Sequence, residues 1–306
     1  MGFLRRGERS SLATDGAGAA ARSGVAAALD HITYELIPLK NVHDQAAFLP
    51  AGATVSVTAS PAKGLEATVE LAATLEASGL RAIPHLSARM VRDRAHLREL
   101  LVRLADLGID RAFVVGGDAV EPGEFPDGLS LLRAMADLGG GPAHVGVPCY
   151  PQGRPDIPEA ALRAALRDKA PLAEYMTTQL CFDARAIGAF IAARRAEGIE
   201  LGVKIGIPGV AEVPKLLAIS ARIGVRDTGR FLSKNARFVG QLLTSGGVYR
   251  PTGLLEKLAP VLADPVADVV GLHLYTFNQV EATEAWRRAY RGSLEPAAGA
   301  AAGVGL

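Results

Sequence analysis

Short runs of apolar, β-branched and aromatic residues recur along the chain, separated by longer stretches whose apolar positions repeat with helical period. Eight of these runs read as strands: residues 31–39, 53–59, 81–87, 111–118, 144–150, 175–182, 202–208 and 268–275. Between them, residues 63–78, 91–107, 159–170, 184–197 and 213–223 are rich in Ala, Leu, Arg and Glu, which favour helix. Strongly apolar strands joined by helical crossovers imply a parallel sheet covered on both faces, and eight such units favour closure over an open sheet. The expected fold is therefore α/β, a single-domain (βα)8 TIM barrel over residues 31–292. Two extra helical patterns, at 231–243 and 253–263, fall between the seventh and eighth strands and read as an insertion or an extended crossover. Residues 1–30 read as a flexible tail or a short helix at 18–29, and residues 293–306, rich in Ala and Gly, as a second flexible tail.

One polar residue interrupts the first strand. His31-Ile32-Thr33-Tyr34-Glu35-Leu36-Ile37-Pro38-Leu39 places the carboxylate of Glu35 within an otherwise buried run. A buried carboxylate is paired, caps a neighbouring backbone, or is held protonated and able to act as an acid. Other strands end in the same way, with Thr58, His85, Asp118, Tyr150, Gln179, His273 and Tyr275 standing where strand gives way to loop. In a parallel barrel the chemistry gathers at those ends, so polar groups on most of the strands point to one shared cavity.

Charge narrows the partners. The chain has 33 basic and 32 acidic residues among 306, so no broad field exists to hold nucleic acid or an anionic membrane. Cys149 and Cys181 lie far apart on predicted strands and read as buried thiols of a reducing compartment, which suits a cytoplasmic protein. Neither a signal-peptide core nor a run of 18 uninterrupted apolar residues is present. No second histidine stands at metal-ligand spacing from His85, so no metal is expected. A Gly-x-Gly-x-x-Gly fingerprint after a strand is missing, as is a Gly-x-Ser-x-Gly elbow, which disfavours a Rossmann unit and acyl transfer.

Taken in order, these segments resemble the methylenetetrahydrofolate reductase family, a (βα)8 barrel. Tyr34-Glu35-Leu36-Ile37-Pro38 is similar to the family's Phe-Glu-Phe-Phe-Pro, Ser56-Val57-Thr58 to its second strand and Pro84-His85-Leu86 to its third. Gly117-Asp118 stands at its Gly-Asp, and Tyr150-Pro151-Gln152-Gly153-Arg154-Pro155 is similar to Tyr-Pro-x-x-His-Pro. Thr178-Gln179-Leu180 is similar to Thr-Gln-Leu, and Leu272-His273-Leu274-Tyr275-Thr276-Phe277-Asn278 to Leu-His-Phe-Tyr-Thr-Leu-Asn. The resemblance implies a tetrahydrofolate substrate, with Glu35 as the acid that opens the methylene-bearing ring and Asp118 as the group that stabilises the iminium or holds the pterin. It implies that Gln179, Thr58, Tyr275 and Phe277 meet the substrate, the two aromatic rings by stacking or as barrel filler. It places His85, Gly117, Tyr150 and Arg154 on the cofactor side.

The departures from the family concern the cofactor. Gly117 is read at the place of the arginine that precedes Gly-Asp, Arg154 replaces a histidine, and Gln279 an arginine. Residues 159–169, where relatives carry flavin-binding polar residues, are mostly Ala and Leu with Arg, Asp and Lys. The expectation is hydride transfer straight from NADH or NADPH without FAD. The FAD-dependent reaction, a pterin-binding methyltransferase and a non-catalytic folate-binding subunit stand as alternatives, and a homo-oligomer is left open.

Overall fold

The apolar runs form strands that close on themselves, in a computed structural model that describes residues 6–214, 216 and 247–295. In chain order the strands are β1 (Ile32–Leu36), β2 (Thr54–Val57), β3 (Arg81–Ser87), β4 (Arg111–Val115), β5 (His144–Cys149), β6 (Tyr175–Thr178), β7 (Gly202–Pro208), β8 (Ala211–Glu212), β9 (Val248–Tyr249) and β10 (Val269–Tyr275). The first seven and β10 make a closed parallel barrel in which β1 pairs with both β2 and β10. This is the expected (βα)8 TIM barrel. The short β8 and β9 pair antiparallel, Ala211 with Tyr249, and bring together the two ends of the segment between β7 and β10.

Alternation along each strand divides the side chains into an outer shell and an interior. On β1, Leu36 is fully buried in the core formed with the surrounding helices, and Tyr34 donates to Glu284 of the helix Val280–Ser293. Thr33 faces the other way and receives a hydrogen bond from Lys204 Nζ of β7 at 3.2 Å, across the barrel. Ile83, Phe113 and Tyr175 form a separate interior cluster. Gly146 is small because that space is taken: a Cβ there would lie 2.2 Å from the Tyr175 ring. Lys204 Nζ sits 4.0 Å from the centroid of the same ring, and burial brings the lysine pKa down to about 8.

The strands end sooner than the apolar runs. The 31–39 run stops at Leu36 and the 175–182 run at Thr178, because the residues beyond turn into the loops that carry the polar groups. The first 30 residues differ more. Arg6–Asp30 is a single helix of 25 residues, longer than the short helix expected at 18–29, and its buried Val25, Ala28 and Leu29 hold it to the barrel. It crosses the helix Thr252–Leu262 at Gly24, where a Cβ would come within 2.8 Å of the Leu262 carbonyl oxygen. The helix half of the expectation describes this segment, and its apolar stripe has a partner surface.

Helices Gly128–Leu138 and Val280–Ser293 supply units that the periodicity did not single out. The first is fixed by a capping box between Asp127 and Ser130. The pattern at 253–263 is the helix Thr252–Leu262, whereas that at 231–243 and most of 213–223 lie outside the described residues, as do residues 296–306. Cys149 and Cys181 are both buried. No described helix is long and apolar enough to cross a membrane.

Candidate active site

Glu35 is the last inward residue of β1, in register with Tyr275 of β10 and Ser56 of β2. Its side chain is 13% exposed, and Oε2 lies 3.2 Å from Nε2 of the buried His273. The neighbouring interior positions are aromatic or hydroxyl-bearing. The His273 ring packs edge-on against the Tyr275 ring at 4.8 Å, and the Tyr275 hydroxyl donates to the Thr178 carbonyl at 3.1 Å. Gly206 on β7 leaves room for Tyr275, since a Cβ there would reach that ring at 2.8 Å. Burial raises the Tyr275 phenol well above its ordinary value, with the Glu35 charge acting in the same direction.

His85 projects from β3 into the same interior, with Nε2 2.6 Å from Ser56 Oγ and its ring 4.9 Å from that of Phe113. Burial lowers its pKa from 6.5 to about 4, with the Glu35 charge opposing and His273 assisting. The folded protein therefore resists a proton that the unfolded chain accepts. Above pH 6.5 His85 is neutral in both states and costs nothing; as pH falls from 6.5 toward 4 stability drops, by about 3 kcal/mol in full. Urea unfolding of wild type and His85→Gln at pH 7 and at pH 4 should show the gap between them narrowing in acid. A gap independent of pH would show that His85 is not the group responsible.

The end of β1 is held by the loop that follows β10. Thr276 Oγ1 donates to the Glu35 carbonyl, and the Asn278 amide clasps Ile37, accepting from its N–H and donating to its C=O, both at 2.9 Å. Phe277 and Asn278 both have positive φ, 51° and 54°, which folds the loop back onto β1. The same turn carries the Phe277 ring into a buried cluster with Leu180, Phe182 and Tyr249. Phe277 is 5% exposed there, the filler arrangement rather than an open stacking face.

Asp118 is exposed at the rim, on a loop that Arg89 pins: its guanidinium donates to the carbonyls of Ala119 at 2.6 Å and Val120 at 2.7 Å. Gly117 has φ +88°, and a Cβ on it would sit 1.8 Å from Ser87 Oγ, so only glycine fits. It is the glycine of Gly-Asp. The preceding position, which relatives fill with arginine, is therefore Gly116, whose Cβ direction is open for 4 Å; this corrects the placement of the missing arginine at Gly117. Tyr150 is half-buried beyond β5 and feels the charges of Asp118 and Arg154, though burial dominates and raises its pKa. Arg154 lies over the Tyr150 ring at 5.6 Å and is bound to Asp156 at 2.9 Å, which raises its pKa further.

Gln179 follows β6; its amide oxygen accepts from the Leu180 N–H at 2.9 Å, and its amide nitrogen has no partner among the described residues. Thr58 is half-buried just past β2, its N–H bonded to the Leu36 carbonyl at 3.0 Å. Charge coupling links Glu35 to His85 and Tyr275, Tyr275 to Tyr150, and Tyr150 to Asp118. Thr58 and Gln179 stand on the same C-terminal ends, while Phe277 belongs to the buried cluster beside them. Sequence reasoning placed His273 among the polar strand ends without giving it a role, and left Ser56, Arg89 and Asn278 out of the site. Only Asn278 carried a local signal, as a residue that tolerates positive φ just after a strand.

The family model for methylenetetrahydrofolate reductase matches residues 39–288, most of this barrel. The chain belongs to that family. The family match supports an oxidoreductase that acts on a folate. Glu35 precedes the matched span by four positions, so its place in the site rests on the barrel's closure. Two solved structures show a distant similarity to this chain. A proposed phosphonomutase from Burkholderia cenocepacia J2315 is 15% identical, with 69% of this chain and 93% of that one covered at a TM-score of 0.42. The GH18 chitinase ChiB of Flavobacterium johnsoniae is 10% identical, with 86% and 93% covered at 0.46. Neither likeness bears on chemistry.

Proposed function

We propose that this chain reduces 5,10-methylenetetrahydrofolate to 5-methyltetrahydrofolate with hydride taken directly from NADH or NADPH, and that Glu35 is the general acid. The observation that carries the reading is the Glu35 carboxyl group: sheltered, inward-facing and, among the described residues, tied only to a histidine at the C-terminal mouth of the barrel. Its proton goes to the departing ring nitrogen, the carbon–nitrogen bond breaks, and the cationic iminium left behind takes hydride on its methylene carbon. The nicotinamide leaves oxidised. Asp118 at the rim supplies a negative charge for the cation, and the amide nitrogen of Gln179, without a partner among the described residues, suits a heterocycle's edge.

Direct transfer is supported by Ala160, Ala161, Ala164 and Ala165 of helix Glu159–Lys169, which stand where the family resemblance places flavin-binding polar residues. The cavity between the β5 loop and that helix measures about 280 Å³, and Leu162, Ala165 and Leu166 line it beside Tyr150, Gln152, Glu159 and Lys169. Its Arg163 and Arg194 are both committed to Glu197, at 2.6 and 2.7 Å. With no flavin between them, the nicotinamide carbon must come within about 3.5 Å of the methylene carbon. The test is a visible spectrum of the purified protein together with NAD(P)H oxidation. Oxidation that depends on methylenetetrahydrofolate, in protein without a flavin band, is expected. A stoichiometric flavin band, or activity only after FAD is added, would replace this reading with the FAD-dependent one.

A further inference from the structure

We propose that His273 positions the acid, donating from Nε2–H to Glu35 Oε2 and so leaving the transferable proton on Oε1. The proposal rests on the reading of Glu35 as the acid. The two side chains come from adjacent paired strands, β1 and β10, with Thr33 opposite His273 and Glu35 opposite Tyr275. Their 3.2 Å contact is the one side-chain hydrogen bond of the Glu35 carboxyl group among the described residues. Oε1 has no protein partner there and is not sealed from solvent.

The tautomer of His273 decides which way the acid works. A neutral imidazole has one N–H and one bare nitrogen. If Nε2 were bare, protonated Glu35 would spend its proton on the imidazole, directed at a ring that is 3% exposed. If Nε2 carries the hydrogen, Oε2 is occupied as an acceptor and the carboxyl proton stays on the oxygen that substrate can reach. The ring is well fixed for this task, packed against Tyr275, whose hydroxyl is in turn anchored to Thr178. His85 cannot substitute for it, because its Nε2 is engaged by Ser56 at 2.6 Å.

His273→Phe keeps a ring and removes the donor, while His273→Gln offers an amide N–H near the position of Nε2. With substrate bound beforehand, single-turnover hydride transfer should fall about 10- to 100-fold in His273→Phe, with the folate dissociation constant within about twofold of wild type. His273→Gln should recover most of the loss, which a merely structural role would not predict. Nitrogen-15 NMR of histidine-labelled wild type should show an Nε2–H tautomer that disappears in His273→Gln, and this reading needs neither activity nor the Phe variant. An Nδ1–H tautomer at this residue, or wild-type transfer rates in folded His273→Phe, would overturn the proposal while leaving Glu35 as the acid. A wild-type chain with no reductase activity would overturn the reading of Glu35 and this proposal with it.

Discussion

Glu35→Gln should bind folate as wild type does and turn over about 10²- to 10⁴-fold more slowly, the scale of losing a general acid. The amide is close in shape to the carboxyl group and still presents an oxygen to His273 Nε2, so the interior contact at 3.2 Å can be kept. It has no proton to give to a departing nitrogen, so ring opening reverts to whatever solvent supplies. The loss therefore belongs in kcat and in the single-turnover rate, with binding unchanged. Substrate binding by fluorescence titration, alongside stopped-flow oxidation of NAD(P)H, separates the two quantities. Thermal unfolding near the wild-type midpoint shows that the variant is folded. Unaltered turnover would remove Glu35 from the mechanism and with it the proposed function.

The second large effect is expected at Asn278, which never meets the chemistry. Asn278→Gly preserves the freedom to adopt φ of 54° but deletes the amide that satisfies both Ile37 N–H and Ile37 C=O. Two backbone groups beside a closed barrel then lose their partners, at about 1–3 kcal/mol each when buried. Urea unfolding should show a loss of about 2–5 kcal/mol, and turnover should fall because Ile37 is two residues from Glu35. Asn278→Leu should be worse than Asn278→Gly, since it adds a left-handed backbone that a bulky residue resists. A loss below about 1 kcal/mol in the glycine variant would mean that water replaces the clasp.

Much of the barrel was legible because strand and helix periods are local. A run such as Ala112-Phe113-Val114-Val115 has few alternatives to an extended, covered strand, whatever lies elsewhere. The N-terminal helix was harder to read. Its Val25, Ala28 and Leu29 have meaning only against the helix Thr252–Leu262 and β10, more than 200 positions away. Tyr34 likewise reads as core in the sequence, whereas its hydroxyl meets Glu284, which Arg287 and Arg288 also hold.

By itself the sequence determined the alternation of strand and helix, the placing of Glu35 and Asp118 where strands give way to loops, and membership in a folate-reducing family. Those follow from residue preferences and from motifs read over a few positions. Tertiary structure alone decided that Glu35 faces His273 across 238 positions of chain, that Phe277 is packed away, and that Gly117 is held against Ser87. The reason is physical: neighbours along a strand are set by backbone geometry, but partners across a barrel exist only once β10 has closed onto β1.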